Sequence, residues 1–229
     1  MKNIDLSVFN TKQLKEIKKG LQNNIDINIY AKPIFDEYQM SEIRQGLEND
    51  VNVNIYAKPE FDAWQMQEIR LGIEDWFCVS VYARPEFNSK QMHEIRLGIK
   101  SDINTRIYAT TKYDSYQMKE IRMGLETKLN VDIYADPKFN YLQMSEIRRG
   151  LEDNIDVTIY AKPEFNHKQM EQIRLGLEDG IDVTSYARKE IPSENMIYIR
   201  LNKSDYSSSK SMKNNLRKEI KELMKIQRR

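Results

Sequence analysis

Two histidines, His93 and His167, and one cysteine, Cys78, are the side chains of this 229-residue chain best suited to metal binding, proton transfer or nucleophilic attack. Such chemistry needs several of these groups converging on one pocket. The two histidines lie far apart in the sequence. Cys78 sits in the apolar stretch WFCVSV and reads as a small buried residue rather than an activated thiol. The glycines do not cluster into a phosphate-cradling loop. Carboxylates are plentiful but recur as helix-face charges rather than as one special pair. No catalytic residue, metal ligand or cofactor is therefore expected, and the chain reads as a non-enzyme.

One further set of residues has a chemical pattern. Arg44, Arg70, Arg96, Arg122, Arg148 and Arg174 recur at a constant spacing of 26, with Lys18 one step earlier. A functional reading makes them a phosphate-binding ladder. A structural reading pairs five of them with the glutamate four residues on: Arg44/Glu48, Arg70/Glu74, Arg122/Glu126, Arg148/Glu152 and Arg174/Glu178. Glu42 and its equivalents add a second carboxylate. A net charge of +1 supports the second reading.

The spacing belongs to the whole chain. The pair Gln39-Met40 returns at the same interval through Gln169-Met170, and Gln13-Leu14 is a degenerate first copy. Seven of the eight glycines and five of the six prolines each hold one repeat position. A strict period without insertions means that each unit has one shape and stacks on its neighbours.

Within a unit, Asp36 followed by Gln39 is a capping-box pattern, and Phe35 with Met40 is a hydrophobic staple. Met40, Ile43 and Leu47 then mark one helix face. These signals predict long helices near 10–23, 36–49, 62–75, 88–101, 114–127, 140–153 and 166–179. Gly46 costs about 1 kcal/mol relative to Ala inside a helix, and its recurrence suggests close helix–helix approach. Asn24, Asp50, Asn154 and Gly180 suit the left-handed turn that ends a helix. Trp76 and Lys128 break that rule, so those two ends are expected to differ. The connecting stretch IDVTIYAKPEF alternates like a strand. It also fits a short helix capped by Asp156, and that is the preferred reading. The expected fold is all-α: a solenoid of seven 26-residue units over 1–189, with a C-terminal cap over 190–229. The alternative is an α/β solenoid with one short strand per repeat.

The segment YADPKFNYLQMSEIRRGLEDN, residues 134–154, resembles tandem helical repeats of clostridial and related gut bacteria, often found near mobile elements. Its rhythm is also similar to leucine-rich-variant and HEAT-type solenoids. The resemblance implies an architecture over roughly residues 1–189 and no catalytic residue. The genomic company of such repeats implies a phage or mobile-element inhibitor of a host defence protein.

Comparing the copies separates stacking from other roles. Constant positions serve stacking, because every unit has the same neighbours. Positions 38, 41 and 45 vary and share one helix stripe. Across the copies that stripe supplies a candidate protein-binding face: Tyr38, Trp64, Leu71, His93, Leu97, Tyr116, Met123, Leu142 and Arg149. The same residues could instead pack on the next unit. Nucleic acid is the alternative partner, since helical-repeat proteins read bases with such stripes.

Beyond residue 190 the pattern changes. Met196–Leu201 reads as strand-like, and a polar serine-rich stretch follows. A terminal helix is then expected with Leu216, Ile220, Leu223 and Met224 on one face. It caps the last unit, and Lys213, Arg217, Lys218, Lys221 and Lys225 make it a second contact for nucleic acid or an acidic partner. The start of the chain lacks the long apolar core of a signal peptide, no run reaches bilayer length, and a lone cysteine fits a reducing compartment. A cytoplasmic protein with no membrane contact is expected.

Overall fold

A computed structural model describes residues 4–204. Among these residues the fold is all-α, with no strand. Seven long helices follow one another: α1 (Thr11–Gln22), α2 (Glu37–Glu48), α3 (Ala63–Glu74), α4 (Ser89–Lys100), α5 (Ser115–Glu126), α6 (Tyr141–Glu152) and α7 (His167–Glu178). Each lies within a residue of its expected bounds. The connecting stretch is a short helix of the 3-10 type, as at Val53–Ile55 and Val157–Ile159, so the strand alternative fails. Asp156 caps the latter by accepting from the Thr158 N–H. The chain forms two compact blocks, Met1–Glu126 and Thr127–Arg229. In the first, α1 packs on α2, α2 on α3, α3 on α4 and α4 on α5; in the second, α6 packs on α7.

Every long helix begins with the same device. In α2 the Asp36 carboxylate accepts from the Gln39 N–H at 2.8 Å, and the Asp36 N–H donates to Gln39 Oε1 at 2.9 Å. The remaining Gln39 amide then donates to the Phe61 carbonyl of the next repeat at 2.6 Å. One side chain thus starts its own helix and fixes the entry to the following one.

The recurring glycine serves a side chain rather than a neighbouring helix, which corrects the expectation of close helix–helix approach. Tyr56 is fully buried, and its hydroxyl donates to the Glu42 carbonyl at 3.2 Å. That oxygen lies one turn before Gly46, and a Cβ added to Gly46 would overlap the hydroxyl. The same seat holds Tyr30 on Gly20, Tyr82 on Gly72, Tyr108 on Gly98, Tyr160 on Gly150 and Tyr186 on Gly176. Around each tyrosine the core repeats, as with Val53, Phe61, Met66 and Ile69.

The arginines bind the repeats to one another. Arg70 on α3 donates through Nε to Glu42 of α2 at 3.0 Å and through Nη1 to Glu74 of its own helix at 2.7 Å. Arg44 pairs with Glu16 and Glu48, Arg122 with Glu94 and Glu126, and Arg174 with Glu146 and Glu178. Burial opposes the charge on Arg44, Arg70, Arg122 and Arg174. Their glutamates more than offset it, so all four are held above the ordinary arginine value. Arg96 departs slightly: Lys100 stands where its second glutamate would be, and Asp75 lies 3.9 Å away instead.

Three further expectations are corrected. The helix ends at Trp76 and Lys128 do not differ: both residues adopt positive φ, 62° and 60°, beside 57° at Asp50. The Phe77 N–H donates back to the Gly72 carbonyl at 2.8 Å, and this closing bond sets the turn whatever side chain occupies it. Cys78 is exposed, because it holds the outward-facing cap position that Asn52 and Asp156 fill elsewhere. The segment read as strand-like, Met196–Leu201, lies in a helix over 193–204, with Arg200 donating to Gln172 of α7 at 3.2 Å. Stacking on α7 overrides its β-branched composition.

Two results are expected. In Gly72→Ala, helix propensity alone predicts a gain of about 1 kcal/mol. The overlap with the Tyr82 hydroxyl and the crowding by Val79 predict instead a loss of about 1–3 kcal/mol, partly relieved by adding Tyr82→Phe. Denaturant melts of the two single variants and the double variant measure this. The second concerns pH. Burial pushes Tyr30 and Tyr186 up to about 12, and Tyr56, Tyr82, Tyr108 and Tyr160 further up. The unfolded chain releases these protons near pH 10, so stability should hold below about pH 10 and fall above it. Glu48 and Glu74 are lowered: burial pushes them up, but Asn23 or Asn49 and the paired arginine pull them further down. Their contribution is present above about pH 4.3 and is lost as pH falls through the lower folded values. Melts across pH, followed by tyrosinate absorbance on the alkaline side, test both limbs.

Candidate interaction face

Position 38 falls in the first turn of each long helix, beside the capping box. Its side chain projects away from the core that Met40 and Ile43 build. Tyr38 is 63% exposed, Trp64 69% and Tyr116 53%, and Lys90 on the intervening helix is also exposed. Further along the stripe exposure falls. Ser41, Gln67 and His93 are half-buried, as are Gln45, Leu71, Leu97 and Met123. The stripe therefore runs from an open aromatic row at the helix start into the seams between helices.

Two recesses open along this row in the first block. One, of about 350 Å³, is lined by Trp64, Gln67 and Glu68 of α3, Lys90, His93 and Glu94 of α4, and Tyr116 and Lys119 of α5. The other, of about 500 Å³, is lined by Asp36, Tyr38, Ser41, Glu42, Asp62, Ala63 and Trp64. Trp64 is a wall of both.

The floors are held by the same ion pairs that join the repeats. Glu68 accepts from Arg96 Nε at 2.8 Å with one oxygen, and its other oxygen lies 3.2 Å from His93 Nδ1. Glu94 accepts from Arg122 Nε at 2.9 Å, and Glu42 from Arg70. The floor carboxylates are thus matched by arginines from the following helix, and Lys90 and Lys119 add positive charge around the first recess. Tyr38 lies under Lys12, whose Nζ is 5.8 Å from the ring centroid and 3.0 Å from Glu37.

Of the sequence-derived residues, Tyr38, Trp64, Leu71, His93, Leu97, Tyr116 and Met123 belong to the first block. Trp64, His93 and Tyr116 line one recess, and Tyr38 shares the other with Trp64. Leu142 and Arg149 lie on α6 in the second block. Leu142 is 37% exposed, and Arg149 pairs with Glu146 at 3.1 Å. Lys213, Arg217, Lys218, Lys221 and Lys225 lie outside the described residues.

Sequence reasoning treated the constant glutamates as stacking residues only, yet Glu42, Glu68 and Glu94 also floor the recesses. It also missed Trp76, which is 95% exposed at the opposite end of α3. Its break with the Asn, Asp and Gly found at equivalent corners was the available signal.

The arrangement offers exposed surface, aromatic walls and carboxylates paired with arginines. Among the described residues no group of three or more His, Cys, Asp or Glu could hold a metal ion, and no helix is long and apolar enough to cross a membrane. Comparison with protein-family models, curated proteins and solved structures finds no match.

Proposed function

We propose that the chain is a non-catalytic protein-binding solenoid, and that the first block presents Tyr38, Trp64 and Tyr116 to a protein partner. It acts by occluding that partner or by scaffolding it. One observation carries the reading. The copies differ at position 38, and there three large aromatic side chains stand more than half exposed, with Trp64 walling two recesses. Constant positions are accounted for by stacking, whereas other copies hold Lys90 and Lys168 at this one, so the repeat forms without an aromatic ring there. Exposed Trp and Tyr beside concave, charge-compensated surface are what interface hot spots use. The resemblance to repeats near mobile elements makes a host defence protein the class of target, with inhibition by occlusion.

The test is capture by the tagged full chain from host lysate, run with and without nuclease and repeated with Trp64→Ala and Tyr116→Ala. A protein recovered in stoichiometric amount should survive nuclease. Its affinity should fall at least about 30-fold in either variant, as for a hot spot worth about 2 kcal/mol. Stability should change by no more than about 0.5 kcal/mol, as for surface positions. Recovery that vanishes with nuclease would move the function to nucleic acid. An equal loss of stability and binding would make the aromatics part of the core.

A further inference from the structure

Two lysines stand unpaired at the first recess, and both hold repeat positions that are paired elsewhere. Lys12 on α1 and Lys90 on α4 occupy the same position of the repeat. Lys12 reaches Glu37 of the next helix at 3.0 Å. Ser115 stands where that glutamate would be for Lys90, which makes no ion pair among the described residues. Lys119 on α5 occupies the position that His93 holds on α4. His93 Nδ1 lies 3.2 Å from Glu68 of the preceding helix, whereas Lys119 makes no such pair among the described residues. Both lysines are exposed, and both line the recess whose aromatic walls are Trp64 and Tyr116.

The carboxylates of that recess are already engaged. Glu68 takes Arg96 and His93, and Glu94 takes Arg122. What remains for a visitor is two ammonium groups beside two aromatic rings. The second recess, which shares the Trp64 wall, is of opposite character. Its charged lining is Asp36, Glu42 and Asp62, with no lysine or arginine. Trp64 thus separates a cationic recess from an acidic one. An anionic group settling against Trp64 is drawn to the α4 side and repelled from the α2 side.

We infer that the first recess takes an acidic side chain of the partner protein, its carboxylate between the Lys90 and Lys119 ammonium groups and an adjoining apolar residue against Trp64 and Tyr116. The inference rests on the proposed reading of this row as a protein-binding face, and it names the chemistry that the face selects. An ion pair closed off by aromatic walls is screened less by water and salt than one on open surface, so it contributes more than an ordinary exposed pair. A nucleic-acid backbone carries a phosphate at every nucleotide and needs a longer run of cations than these two. With Glu68 and Glu94 on the floor beneath, the recess suits a single carboxylate rather than a chain of phosphates.

The test pans the full chain against a random-peptide display library and measures the enriched peptides by fluorescence anisotropy. Enriched sequences should carry Asp or Glu next to a large apolar residue, and Trp64→Ala should abolish the enrichment. Affinity for such a peptide should fall at least about ten-fold with Lys90→Gln plus Lys119→Gln, and less than about two-fold with Lys18→Gln plus Lys100→Gln, which remove the same charge elsewhere. All four lysines are exposed, and far-UV circular dichroism checks that each variant stays folded. Replacing the peptide's acid by its amide should lower wild-type affinity by the same factor and leave the Lys90 and Lys119 variant unchanged. Enriched peptides without an acid, or an acid preference that survives the loss of both lysines, would overturn the inference and leave the protein-binding reading standing. No enrichment, or enrichment untouched by Trp64→Ala, would overturn that reading and the inference with it. Oligouridylate bound more tightly than any enriched peptide would assign the recess to phosphate and also overturn it.

Discussion

A tyrosine hydroxyl seated on a glycine is the contact on which the rest of the fold depends. A buried phenol needs a hydrogen-bond partner, and the nearest acceptors are carbonyls of the preceding helix. Those carbonyls already serve their own helix, and side chains normally screen them. Removing the side chain one turn later opens the approach, as Gly46 does for Tyr56 and the Glu42 carbonyl. The ring then fills the space between successive long helices. Its position fixes the short 3-10 segment before the next helix, and the glutamine amide and the arginine follow in register. An insertion anywhere between glycine and tyrosine would unseat the ring, which accounts for the unbroken period.

The same contact divides the chain into positions with and without freedom. Residues around the tyrosine, the glutamine and the arginine are held by identical neighbours in each copy. Position 38 lies in the first turn of the helix, and its aromatic side chains are more than half exposed. The variable stripe thus reaches its most exposed point in this row. The recess floors inherit rigidity from the ladder, since Glu42, Glu68 and Glu94 are each fixed by an arginine of the next helix. Aromatic walls on such a base lose little freedom when something settles on them.

Much of this was legible in the sequence, because the helix starts are local. Asp36 and Gln39 are three residues apart, and their reciprocal bonds need no tertiary partner. What escaped depends on distant parts of the chain. Gly46 and Tyr56 are ten residues apart across a helix end, so no periodicity links them, and the glycine was read as a helix–helix contact. The left-handed turn at Trp76 follows from the Phe77 bond to the Gly72 carbonyl rather than from the residue that occupies it. Residues 196–201 have strand-like composition, yet Tyr186 and Arg200 hold that segment to α7 as a helix. At the candidate face, comparing copies singled out Tyr38, Trp64 and Tyr116. It could not separate them from Leu71, Leu97 and Met123, which are half-buried in the structure.

Interfaces of one kind also bear on how such a chain changes length. A gene segment that duplicates or drops one whole period in frame joins a presenting helix to an inserting one that already matches it. No compensating substitution is needed, whichever copy is lost or gained. The number of repeats, and so the number of variable positions in the row, is then open to recombination in a way that the core of an ordinary domain is not. Differences between copies such as Trp64 and Lys90 would survive these events and be reshuffled by them. Close descendants of this chain would differ less in the shape of each repeat than in how many there are and in what order their surface residues come.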